Sequence, residues 1–253
     1  MEGQFWANTQ YFNPRQIGGL VLWLDATDPA ANGVQPSNGT SLATWVDKST
    51  RGNNFTQGTG ANQPTFQTNI INGKPCILAN GTTQTMSGGV TGLPTGSQGR
   101  TFFIVFNIVS HSSLHYFFSH GTNGTGETFS PGFWVLLGPN NFLLDWTNNN
   151  SFMTTTALSD ATNYLATVNY TAGGDTISYV GKLNGVSQTI SPGPSDVGIP
   201  NTINGTSNLF IRVDGFFKAN AYIAEIIYYD SSLSAAKMAL VNNYITNKWG
   251  VAS

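Results

Sequence analysis

The sequence predicts an all-β protein, a sandwich or barrel, closed by one C-terminal α-helix. Three observations carry this. Short runs rich in β-branched and aromatic residues recur roughly every 8–15 residues. Clusters of Gly, Asn, Pro and Ser separate them. Helical periodicity is confined to the last twenty or so positions, so no strand–helix alternation exists to build a parallel sheet.

The strand-like runs are Leu20–Leu24, Lys74–Ala79, Thr101–Val109, Leu114–Ser119, Phe133–Leu137, Asn141–Trp146, Tyr164–Tyr170, Thr176–Leu183, Leu209–Val213 and Tyr222–Tyr229. Thr101 to Phe106 is apolar throughout, which predicts a central strand covered on both faces. Asn184-Gly185 marks a tight hairpin, with Val186–Ile190 as its return strand. Residues 30–69 are rich in Gly, Asn, Gln and Thr and weakly periodic, so they read as loops decorated with short strands. In the helix, Ser234 fits the N-cap, Leu233, Val241, Tyr244 and Trp249 share an apolar face, and Gly250 ends it.

One domain, residues 17–253, follows an arm of residues 1–16. A chain of 253 residues is within single-domain range. Only 9% of it is charged, with a formal net charge of −2, while 40% is hydrophobic. That excludes a general nucleic-acid binder, which needs a basic stripe, and it excludes disorder. Solubility must come from 27 Asn, 30 Thr, 21 Ser and 29 Gly, a neutral surface of amides and hydroxyls. Cys76 is the only cysteine, in an apolar run, so it reads as a small buried hydrophobe and no disulfide staples the fold. Met1–Gln16 lacks a basic and apolar leader pattern, and no run is long enough to span a membrane.

Two groups of motifs stand at the ends of the chain. The first holds Gly19-Leu20-Val21-Leu22-Trp23-Leu24-Asp25-Ala26, then Trp45-Val46-Asp47-Lys48-Ser49, Asn53-Asn54-Phe55 and Gln63-Pro64-Thr65-Phe66. The second holds Ala224-Glu225-Ile226-Ile227-Tyr228-Tyr229-Asp230, Leu233-Ser234 and Tyr244-Ile245-Thr246-Asn247-Lys248-Trp249-Gly250. Together they resemble the laminin-G-like branch of the concanavalin A-like lectin/glucanase superfamily over residues 17–251. The resemblance implies a jelly roll of two antiparallel sheets with first and last strands side by side. It leaves function open, because that superfamily hosts enzymes, lectins and inert modules.

Catalysis is not expected. Glycoside hydrolysis needs two facing carboxylates, and Glu2, Glu127 and Glu225 are isolated in sequence. Glu225 interrupts an apolar strand; it reads either as facing solvent or a loop donor, or as a catalytic or ligand-orienting carboxylate. A lyase would need a base beside an arginine. His111, His115, His120 and Tyr116 cluster without one, and His111 and His115 would lie about 13 Å apart along a strand, too far to share a metal. Calcium would fall to Asp25, Asp28 and Asp214.

Binding is easier to support. Sugar recognition needs an aromatic platform with amides or carboxylates for the hydroxyls, and Tyr116, Trp134, Asp145, Trp146 and Asn148 offer those types. In the arm, Phe5, Trp6, Tyr11 and Phe12 suit docking on a neighbouring subunit. The expectation is a non-catalytic surface or virion (capsid-associated) attachment module. It would contact structural proteins, identical subunits or cell-surface glycan, without nucleic acid or a membrane span. A lectin is the alternative, then a polysaccharide hydrolase or lyase. Its place would be a virion or other extracellular surface.

Overall fold

The computed structural model describes residues 12–110, 115–122, 129–134, 141–145, 151–153, 157–174, 179–192, 201–212 and 215–253. Nearly all regular structure there is antiparallel β, with two short 3₁₀ turns and one α-helix. An eight-stranded sheet runs in the order Val186–Gln188, Tyr179–Leu183, Asn163–Tyr170, Arg100–Ile108, Asn220–Tyr229, Lys74–Asn80 and Thr65–Ile71. Its eighth member, Leu20–Asp25, also pairs with Asn220–Tyr229. That last strand therefore serves two neighbours on one edge. Asn220 to Ile223 meets Lys74–Asn80, and the stretch from Glu225 onward meets Leu20–Asp25. The first and last strands are adjacent, as expected.

Two five-stranded sheets face it. One joins Ile190–Pro192, Ser151–Met153, Asn141–Asp145, Ser130–Trp134 and His115–Tyr116, and the other joins Thr44–Trp45, Phe55–Thr56, Met86–Gly88, Thr206–Leu209 and Phe118–Gly121. Residues 115–121 feed both sheets. The layers meet through rings: Phe102 packs on Phe118 and Phe129 with centroids 5.5 Å apart, and Phe106 packs on Phe117 at 4.4 Å. Such edge-on and offset ring pairs add to the burial of large apolar area.

Every residue of Arg100–Ile108 is buried, as an apolar central strand requires. Phe102 and Phe106 supply one face. On the other, the Thr101 hydroxyl accepts from Leu233 N–H and donates to the Ser231 carbonyl, which seats the turn into the helix. The helix is Ala235–Trp249; the Ser234 side chain accepts from Lys237 N–H, and Gly250 closes it at φ 66°. Its buried residues are Met238, Val241, Asn242, Ile245 and Trp249. Tyr244 is only half-buried, so the expected face is rotated slightly. Asn184 and Gly185, at φ 47° and 75°, make the tight hairpin turn. Residues 30–69 hold more order than expected: Thr65–Ile71 is a full strand on Lys74–Asn80, missed because its polar residues mask the pattern.

The loop before it is tied down by one carboxylate. Asp47, 7% exposed, accepts from the backbone N–H of Trp23, Ser49 and Asn53 and from the Ser49 hydroxyl. The Asn53 amide continues the tie to the Val21 and Thr91 carbonyls. Cys76 is fully buried and its thiol is pushed up to about 12 by burial, so it behaves as the small hydrophobe expected.

His115 and His120 are interior. They lie in different sheets; His111 is outside the described residues. His120 is lowered to about 4, by burial and then by the nearby Arg100 guanidinium. The structure thus brings an arginine to this histidine that sequence proximity did not show, in a sealed interior.

Asp47→Ala should cost roughly 3 kcal/mol or more in denaturant unfolding, because four buried donors lose one charged acceptor. The fall in His120 pKa also sets a pH dependence. The unfolded chain binds this proton from about 6.5 and the folded chain only from about 4. Stability from this group is complete above about 6.5 and lost progressively down to about 4, by up to about 3 kcal/mol. His120→Gln should be less acid-sensitive than wild type in that window, read from unfolding midpoints against pH.

Candidate functional site

The helix face of the large sheet carries a buried ionic cluster and, beside it, an open groove. Asp25 and Glu225 are directly opposed across paired strands, so their side chains share that face. The helix descends on them with Tyr244, Lys248 and Trp249. The Glu225 carboxylate accepts from Trp23 Nε1 at 2.7 Å, Tyr244 OH at 2.8 Å and Lys248 Nζ at 3.1 Å, and from Trp249 Nε1. Lys248 Nζ also lies 2.7 Å from Asp25 Oδ1.

Glu225 is 1% exposed. It neither faces solvent nor takes a loop donor: its partners are the helix and the first strand. Burial pushes its pKa up, and Asp25 adds to the rise, against Lys248 and the two indoles. Burial would raise Asp25 as well, yet Lys248, Lys48 and Thr27 outweigh it and hold that carboxyl below the usual range. With its oxygens taken by protein donors, Glu225 is a structural tie.

Lys48 bridges Asp25 and Asp28 at 3.1 Å each and lies 4.9 Å from the Trp23 ring centre. Burial would lower this lysine, but the two carboxylates raise it. Asp25 and Asp28, the calcium candidates, do come together, and an ammonium stands between them. Asp214 lies outside the described residues. No group of three or more His, Cys, Asp or Glu side chains suited to a metal occurs among the described residues. Trp23 and Leu24 point oppositely, as strand geometry demands: Leu24 enters the core, while Trp23 meets Tyr244 edge-on at 6.3 Å.

The adjoining groove has a volume of about 330 Å³ and is lined by Phe12, Leu240, Asn243, Tyr244, Asn247 and Lys248. Phe12 and Tyr244 form its aromatic wall, ring centres 6.2 Å apart at 65°. Asn243 and Asn247 are exposed, and Leu240 is 47% exposed. The Tyr244 hydroxyl is held by Glu225 and Lys248, so the ring orientation is set from beneath. Apolar ring faces beside two free-facing amides are the residue types that saccharides require. Sequence reasoning placed Tyr244 in the core face and passed over Asn243 and Asn247. The available signal was their helical spacing, one turn apart on a surface nearly without charge.

Of the saccharide candidates read from sequence, Tyr116, Trp134 and Asp145 lie on strands of one five-stranded sheet. Tyr116 is 1% exposed, tilted against Phe217 with the Arg212 guanidinium 5.7 Å from its ring centre, so it is not an open platform. Trp134 and Asp145 close paired strands of one five-stranded sheet. Trp146 and Asn148 lie outside the described residues. So do Phe5, Trp6 and Tyr11 of the arm, while Phe12 packs on Tyr244. Pro14–Gln16 is anchored as well: its Pro14 carbonyl accepts from Tyr229 OH, and Arg15 Nε donates to the Lys48 carbonyl.

No family model and no curated protein matches this chain. Solved structures do. An arabinofuranosidase complexed with arabinofuranosyl-α-1,2-xylobiose is similar over 84% of this chain and 52% of its own, with TM-score 0.63 and 16% identity. The chain thus spans about half the length of that enzyme. Domain 4 of an extracellular GH43 arabinanase from Geobacillus stearothermophilus, in complex with arabinotriose, is similar over 87% of this chain and 97% of its own, with TM-score 0.58 and 11% identity. Trypanosoma rangeli sialidase matches over 92% of this chain and 33% of its own, with TM-score 0.53 and 11% identity. At such identities the likeness concerns the fold: this is a β-sandwich of the kind found in glycoside hydrolases. It overturns the expectation of a non-catalytic virion or capsid-associated attachment module. The matched structures are carbohydrate-active enzymes or a domain of one.

Proposed function

We propose that this chain is a carbohydrate-recognising domain, a concanavalin A-like, laminin-G-like jelly roll that takes arabinose-containing saccharide in the groove of Phe12, Tyr244, Asn243 and Asn247. The observation that carries the reading is the breadth of one likeness. Nearly the whole of an arabinanase domain solved with arabinotriose corresponds to nearly the whole of this sandwich. The groove adds the chemistry. Sugar C–H faces pack on the Phe12 and Tyr244 rings, and the Asn243 and Asn247 amides both donate to and accept from hydroxyls. The buried Glu225 tie holds Tyr244 in place before a ligand arrives, which limits the ordering cost of binding.

Hydrolysis is the second reading, favoured by the match of 84% of this chain to an arabinofuranosidase. It requires a carboxylate pair other than Asp25 and Glu225, whose oxygens are held by protein donors.

Titration calorimetry with arabinotriose should give saturable binding. Asn243→Ala and Asn247→Ala should each weaken it about threefold to tenfold, the worth of a hydrogen bond. Both residues are exposed, so melting should barely move. Absence of saturable binding to arabinotriose and to a wider oligosaccharide panel would reject recognition. Release of 4-nitrophenol from 4-nitrophenyl α-L-arabinofuranoside would bring hydrolysis forward.

A further inference from the structure

A cleft of about 440 Å³ opens beside the start of the first strand and is lined by Arg15, Gly18, Gly19, Ser49, Thr50 and Arg51. It is rich in donors and poor in acceptors. Two of the chain's ten basic residues stand in it. Among the described residues, the ion pairs take Lys48 and Lys248 and neither of these arginines. Asp230 lies against Gly19 but pairs with neither guanidinium. The Ser49 hydroxyl is committed to Asp47, and the Gly18 and Gly19 N–H groups have no hydrogen-bond partner among the described residues. Both arginines are positioned before a ligand arrives. Arg15 N–H donates to the Asn13 side chain, its Nε donates to the Lys48 carbonyl, and its guanidinium lies 5.8 Å from the Trp23 ring centre. Arg51 N–H donates to Ser49 Oγ, and the Ser49 N–H is itself tied to Asp47. Between them Thr50 is held at φ 83°, which strains a β-branched residue; strain of this kind gathers at binding sites.

We propose that this cleft binds the carboxylate of a uronate unit, so that the saccharide taken by the domain is acidic, with its neutral arabinose units in the groove of Phe12 and Tyr244. The chemistry selects the ligand. Guanidinium groups and backbone N–H groups need oxygens that accept, and an ionised carboxylate fits a guanidinium fork with two parallel hydrogen bonds. The hydroxyls of a neutral sugar must also donate, and the cleft has few acceptors to offer them. A cation is repelled. The position suits one saccharide chain reaching both sites. Phe12 stands in the wall of the groove, and Arg15 follows three residues later, within about 11 Å along the backbone. Trp23 joins the two, with Arg15 over its ring and Tyr244 edge-on to it. The proposal rests on the reading of the sandwich as carbohydrate-recognising but concerns a separate set of residues. A second point of attachment on the same ligand raises affinity by making its capture intramolecular.

The test is residue-resolved NMR on the full chain at physiological salt, titrated separately with trigalacturonate, its methyl ester, inorganic phosphate, triglutamate and arabinotriose. Trigalacturonate should give saturable shifts at Gly18, Gly19, Thr50 and the Arg15 and Arg51 side chains, and should bind more weakly as salt is raised. The methyl ester should bind about tenfold more weakly or worse. Arg51→Gln should weaken the trigalacturonate response about tenfold to hundredfold, the worth of hydrogen bonds to a charged group. Arg51 is exposed, so melting should barely move. Arg51→Lys keeps the charge without the fork and should recover only part of the loss. Arabinotriose should shift Asn243 and Asn247 and leave the cleft unchanged. Silence at the cleft, or equal affinity for the methyl ester, would overturn the carboxylate site, while arabinotriose binding would leave recognition standing. Phosphate or triglutamate binding as tightly as trigalacturonate would overturn the saccharide assignment. Cleft shifts with trigalacturonate, without any at Asn243 and Asn247 with arabinotriose, would uphold the uronate site and reject the reading of the groove.

Discussion

Glu225 carries a carboxylate into the buried layer between the large sheet and the helix, where an unpaired charge would cost several kcal/mol. Two indole N–H groups, one phenol and one ammonium meet it. Those donors come from the first strand and from the helix, so a single side chain on the last strand ties both to it. Oε1 takes three of these donors and Oε2 only the Trp249 indole, so losing that indole leaves a buried oxygen unpaired, which is more damaging than the loss of a surface ion pair. This makes the tie a device for placing the helix as much as for stability. The groove of Phe12 and Tyr244 lies where it does because the helix is held at one angle on the sheet.

The functional argument follows from that placement. The core between the layers is sealed by phenylalanine and tyrosine rings, and His115, His120 and Tyr116 are buried there. By contrast the helix presents Asn243 and Asn247 outward, with Phe12 and Tyr244 beside them. On a chain with 9% charged residues, amides are the available polar chemistry, and amides beside rings suit neutral saccharides. The structural likenesses, at the level of fold, are to carbohydrate-active enzymes, and they set the virion role aside.

Much of the architecture was legible in the sequence, and the failures have physical causes. The apolar run from Thr101, the Asn184-Gly185 turn, the Ser234 cap and the Gly250 stop each carry a local rule that tertiary packing did not override. Thr65–Ile71 was missed because Gln67, Thr68 and Asn69 blur the alternation; its pairing with Lys74–Asn80 defines it instead. Tyr116 was misread because ring content alone does not say whether a strand end is open. Arg100, remote from His120 in sequence, lowers that histidine only because the two strands are stacked in space.

Composition and local pattern by themselves determined the class of this protein: antiparallel strands, one capped helix, an inert buried cysteine, and a surface of amides and hydroxyls with no basic stripe. These depend on residue type and on spacings of a few positions. The site was decided by tertiary structure alone. Asp25 opposes Glu225 across two hundred positions, Lys48 and Lys248 converge on Asp25, and Phe12 meets Tyr244 from opposite ends of the chain. Such encounters follow from strand register and helix placement, which set contacts between residues that no local pattern links.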